Sequence, residues 1–115
     1  MSSYETAVEH IKMSYQKGGF TFKLSVVPPF YQDEKYIEAL AASIQPFLEH
    51  QYDHVLFSYH GIPERHVKKT DLTKSHCLMV NDCCNKSSEA HKYCYRHQVK
   101  TTTEKAAEVL KLPKE

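Results

Sequence analysis

Residues 55–65 read VLFSYHGIPER. Val55, Leu56 and Phe57 make an apolar, β-prone run that breaks at once into Gly61 and Pro63, so the run reads as a strand buried on both faces. In an open α/β fold, the side chain that ends such a strand stands at the carboxyl edge of the sheet, where ligands bind. His60 holds that place and is the first candidate functional residue.

The flanking sequence supplies elements that fit such a fold. Ser2 and Glu5 have capping-box spacing, and Tyr4, Val8, Ile11 and Tyr15 then share one helical face until Gly18-Gly19 stops the pattern. Residues 20–27, rich in aromatic and β-branched side chains, are expected to form a strand closed by Pro28-Pro29. Asp33 is a natural N-cap for a second helix that repeats Ile37, Leu40, Ala41, Ile44 and Leu48 on one face, with Pro46 kinking or shortening its last turn. A second strand over 53–59 follows, then a long polar stretch from His60 to about Glu89. A last helix has Ala106, Val109 and Leu110 on its buried side.

The order α, β, α, β, loop, α predicts an α/β unit with parallel strands and crossover helices. Two parallel strands leave both edges open and bury too little, so the unit is expected to lean on further sequence or on a second copy.

Composition narrows the function classes. The chain has 115 residues, enough for one domain or less, and 15 Lys+Arg against 14 Asp+Glu give a net charge of +1. No global charge favours nucleic acid or an anionic membrane surface. No apolar window suits a transmembrane segment, and MSSYETAVEH lacks the core of a secretory signal, so the reading is soluble and cytoplasmic. All four cysteines, Cys77, Cys83, Cys84 and Cys94, fall within residues 77–94. A disulfide framework would spread them further, and clustering favours metal or redox chemistry.

The segment Ser58-x-His60-Gly61-Ile62-Pro63 resembles the signature of the ferrochelatases, which insert ferrous iron into a porphyrin. VVPPFYQDEKYIEALAASI is similar to that family's helix before the signature, and KKTDLTKSHC to the loop after it. The resemblance runs along nearly the whole chain but covers only part of the family's length, and it implies a partial, Rossmann-like chelatase unit from the middle of the enzyme. It divides the chain into the end of a first α/β lobe (1–59), an active-site and cysteine-rich loop (60–90) and a helix leading toward a second lobe (91–115). The expected partners are porphyrin and ferrous iron, with the remainder of the enzyme or a second copy completing the cleft. The acidic residue that the family supplies from its second lobe has no counterpart here, so the chain alone is expected to be catalytically incomplete.

A neutral imidazole at His60 suits metal insertion, because it can take a pyrrole proton at neutral pH or ligate ferrous iron. Ser58 shares the His60 face by the two-residue strand period, and Phe30 and Tyr31 follow the first strand; these three are the candidate substrate-binding residues. The basic run Arg65, His66, Lys68 and Lys69 reads as a solvated loop, with attraction of porphyrin propionates as the alternative. Glu64 pairs with Arg65 or solvent.

Four thiolates are the number that holds an iron–sulfur cluster or a structural zinc, with His76 or His91 able to replace one. The resemblance implies a 2Fe-2S cluster, which many ferrochelatases bind, and zinc is the alternative. The spacing C-x5-C-C-x9-C matches no standard run, so an unliganded set of thiols stays open. Two rival functions remain: a small metal-binding module without catalysis, and a cobalt or nickel chelatase.

Overall fold

The structure, a computed structural model, describes residues 3–113. Ser2, and with it the expected capping box, lies outside the described residues. Among the described residues four α-helices form: α1 (Ser3–Lys17), α2 (Glu34–Ile44), α3 (Glu64–Thr70) and α4 (Tyr95–Val109), with 3-10 turns at Gln45–Glu49 and Glu89–Lys92.

The α/β expectation is overturned, because among the described residues there is no β-strand and no sheet. Both expected strands, 20–27 and 53–59, run without regular secondary structure. A strand exists only through the ladder it shares with a neighbour, and these segments have none to pair with, whatever their β-prone composition. Val55 and Phe57 are half-buried and Leu56 is 88% exposed, so the run taken as buried on both faces is not.

The helices follow local rules more closely. Glu5 in the first turn of α1 and Lys17 in the last complement its dipole. The chain then turns through Gly19, whose φ of +60 is the left-handed conformation favoured for glycine after a helix. The Tyr4 hydroxyl donates to the Val27 carbonyl at 2.8 Å, the Tyr15 hydroxyl donates to that of Phe22, and the Tyr15, Phe20 and Phe22 rings cluster. Side chains of α1 thus hold residues 20–27 in place of a sheet partner.

Asp33 caps α2 as expected, its Oδ1 accepting from the Tyr36 N–H at 3.1 Å. Pro46 falls where α2 tightens into the 3-10 turn, which shortens the helix. Ile37 and Ala41 of α2 are buried, as are Thr102 and Ala106 of α4, the helix it packs against. Val109, expected on the buried side, is half exposed.

The polar stretch from His60 to Glu89 is not a single loop, because it contains α3 and a succession of turns. Val67 of α3 joins Cys77, Ala90 and Cys94 in the main buried cluster, with Ile62 and Leu78 packed against it. The radius of gyration is 17.6 Å, against about 13 Å for a compact domain of this length. The molecule is open, and much of its apolar surface is unburied.

Candidate functional site

His60 lies just before α3, in the irregular segment that replaces the expected strand. Its carbonyl accepts from the Tyr95 hydroxyl at 2.8 Å, so the backbone is tied to the start of α4. Its imidazole is exposed. Ser58 is also exposed, while the neighbouring Tyr59 hydroxyl bonds Thr103 Oγ1 of α4 at 2.8 Å. Residues 52–57 line a cleft of about 410 Å3 together with Ala107, Leu112 and Pro113, and His60 does not line it.

Phe30 and Tyr31 sit apart from one another in role. Phe30 is exposed and meets Tyr36 edge-on at 5.1 Å. Tyr31 is half-buried, and the Thr102 hydroxyl donates to its carbonyl at 2.8 Å. The basic residues Arg65, Lys68 and Lys69 are exposed on α3, as expected of a solvated face.

The four cysteines do come together, and all are free thiols. Cys77, Cys83 and Cys94 are buried and Cys84 is half-buried. The Cys77 thiol neighbours that of Cys94, and the Cys84 thiol that of Cys83. Burial, reinforced by these neighbouring thiols, pushes Cys77 up to about 12; burial and the charges of Cys83 and Cys94 push Cys84 up to about 11, against a small opposing pull from Arg96. At neutral pH both are protonated.

Asp71, one residue past α3, organises the loop that carries Cys77. Its Oδ1 accepts from the N–H and hydroxyl of Thr73 at 2.8 and 2.7 Å. Its Oδ2 accepts from the N–H groups of His76 and Cys77 at 2.9 and 2.8 Å. Burial alone would raise its pKa, but the donors from Cys77, Thr73 and His76 outweigh that and hold the carboxyl well below the usual range. Four donors on one buried carboxylate satisfy most of its acceptor sites.

Three imidazoles hold the other side of the knot. His76 Nε2 and His91 Nε2 both donate to the Cys83 carbonyl, at 2.7 and 2.8 Å, and His97 Nδ1 donates to the Cys84 carbonyl at 2.9 Å. A carbonyl only accepts, so these contacts assign the protonated nitrogens. His91 stacks on His97 at 3.7 Å, and His76 meets His91 edge-on at 5.3 Å.

Thiols are donors that zinc and iron–sulfur clusters accept, yet the knot is built around hydrogen bonds. Among the described residues, no group of three or more His, Cys, Asp or Glu side chains is disposed to hold a metal ion. His76 and His91, expected as substitute ligands, aim Nε2 at a backbone carbonyl instead. Neither the cluster nor the zinc expectation is carried by this arrangement, and the same is true of the rival metal-module function.

Sequence reasoning missed Asp71, His97 and Tyr95. Asp71-x-Thr73 is an Asx-turn pattern, and Cys94-x-x-His97 places an imidazole one helical turn after a cysteine, so both left a local trace. Tyr95 left none, since its partner is 35 positions away.

The Ferrochelatase family model matches residues 1–115. The chain is 47% identical to a ferrochelatase of Opitutus terrae over 103 residues, covering 90% of this chain and 30% of that protein. It is 41% identical to a ferrochelatase of Pseudomonas fluorescens over 113 residues, covering 97% and 33%, and 40% identical to one of Pseudomonas putida over 114 residues, covering 97% and 34%. No solved structure matches. By class, these matches set the chain among the metal chelatases. Within that class it belongs to the ferrochelatase family, and it spans about a third of the length of the curated relatives it matches. Among the described residues, no helix is long and apolar enough to cross a membrane.

Proposed function

We propose that this chain supplies the metal-insertion histidine of a ferrochelatase, acting on ferrous iron and a porphyrin in haem formation. The observation that carries the reading is Ser58-x-His60-Gly61-Ile62-Pro63, set within a family match over the whole chain. Two pyrrole N–H protons must leave the macrocycle as the metal enters. An exposed imidazole accepts such a proton and passes it to water, regenerating the base for the second.

Ser58, Phe30 and Tyr31 are assigned to the porphyrin side of the cleft, and the tie from Tyr95 to the His60 carbonyl fixes where the imidazole starts. The remaining walls of a ring-sized cleft, including the acidic partner, belong in this reading to sequence beyond these 115 residues or to another chain. No step passes through the thiols, which act as the core that orders residues 71–94.

Porphyrin binding followed by the Soret band, and iron insertion followed by the haem bands, test this in a full-length ferrochelatase carrying these 115 residues and in its His60→Ala variant. Insertion is expected to fall by about a hundredfold or more in the variant, the lower range for loss of a positioned base, with helix content unchanged. Equal behaviour of the two proteins in both assays overturns the proposal.

A further inference from the structure

His60 lies in a stretch, residues 51–63, that has neither helix nor strand to fix its backbone. Two residues of α4 hold it instead. The Tyr95 hydroxyl donates to the His60 carbonyl at 2.8 Å, and the Tyr59 hydroxyl meets Thr103 Oγ1 at 2.8 Å. Thr103 gives its one hydroxyl proton to the Val99 carbonyl at 3.0 Å, so Tyr59 is the donor in that pair. Tyr95 and Thr103 stand about 12 Å apart along the helix axis. The consecutive residues Tyr59 and His60 are thus tied at two levels of one rigid element.

On the carboxyl side, Ile62 packs against the buried cluster that contains Val67. Gly61 lies between these anchors, is exposed, and has nothing within 4 Å of an added Cβ. A glycine with open space where a side chain would stand has the widest choice of backbone angles. The bond from Tyr95 therefore sets the plane of the His60–Gly61 peptide. That plane fixes ψ at His60, and with it the direction in which the Cα–Cβ bond carries the imidazole. Tyr95 is half-buried and opens α4, so its own ring has a firm base. Such control matters to a base, because misplacing a reacting group by about 1 Å costs about a hundredfold in rate.

We propose that Tyr95 is a positioning residue for the His60 imidazole, acting through the His60 carbonyl while Thr103 holds the preceding residue. The role rests on the reading of His60 as the base of metal insertion.

Tyr95→Phe keeps the ring and removes the hydroxyl. In a full-length ferrochelatase carrying these 115 residues, it is expected to lower kcat for iron insertion by about tenfold, a part of the misplacement cost, with KM for porphyrin unchanged. Because Tyr95 acts through His60, adding Tyr95→Phe to His60→Ala is expected to cost nothing more. A residue that only stabilises the fold would lower both backgrounds alike. Backbone 15N relaxation supplies a readout without turnover, and the order parameters of His60 and Gly61 are expected to fall in Tyr95→Phe while those of α4 stay as in the parent.

An unchanged kcat in Tyr95→Phe, where His60→Ala loses insertion, overturns the positioning role alone. So does an equal fold-loss with and without His60, or unchanged relaxation at His60 and Gly61. A His60→Ala enzyme as active as its parent overturns the reading of His60 itself, and Tyr95 then has no base to position.

Discussion

Asp71 shows how one side chain fixes the placement of several others. Four donors converge on its carboxylate, two of them the N–H groups of His76 and Cys77. Asp71→Asn leaves at least one amide hydrogen facing a donor, and the expected cost is about 1–3 kcal/mol, measured by urea unfolding. Because the folded carboxyl titrates below its unfolded value, its contribution is fully present above about pH 4 and is lost as pH falls through the depressed folded value. The variant should lack that acid-side decline, as compared by melting temperature between pH 5 and pH 2. The thiols act in the opposite direction. Cys77 is raised to about 12 and Cys84 to about 11 from the ordinary thiol value of 9.0, so this contribution to stability is complete below pH 9 and falls as pH rises from there through those values. Cys77→Ala is expected to flatten the alkaline limb of the melting curve under reducing conditions.

Among the elements, the helices were the most legible part of the chain. The periodic face of α1, the Gly18-Gly19 stop, the Asp33 cap and the effect of Pro46 all appear in the structure near the positions read from local patterns. Gly19 tests one of these. At its φ of +60, nothing lies within 4 Å of an added Cβ. Gly19→Ala is therefore expected to cost about 1–2 kcal/mol through backbone strain alone, and a denaturation midpoint equal to the parent would count against this account of the turn. The strands were not legible in the same way, because their hydrogen bonds depend on a neighbour that local composition does not supply. Residues 20–27 answer to two tyrosines of α1, and residues 52–57 to the end of α4.

Over the whole molecule, openness is the dominant feature. Phe20, Phe22, Val27 and Leu56 are more than half exposed, in a chain whose radius of gyration is 17.6 Å. Leu56→Ser in this chain is expected to change stability by no more than about 0.5 kcal/mol, whereas the same loss in a paired, doubly covered strand would cost about 2–5 kcal/mol. Thermal melts of the two proteins decide between those cases. The candidate site divides in the same manner. His60, Ser58, Phe30 and Tyr31 were named from sequence, yet the described residues do not enclose them in one cavity, because a cleft needs walls on more than one side.

The amino-acid order by itself determined α1, α2 and α4, the family and the gathering of thiols into one stretch, because caps, periodicity and motif wording act over a few neighbouring residues, while α3 was read as loop. Only the tertiary structure decided that the β-prone runs go unpaired. It also decided that three histidines turn to backbone carbonyls and that Asp71 and His97 anchor the knot. Those outcomes depend on which groups meet across long separations in sequence, where the competition between a ladder, a carbonyl and a metal for the same donors is settled by geometry.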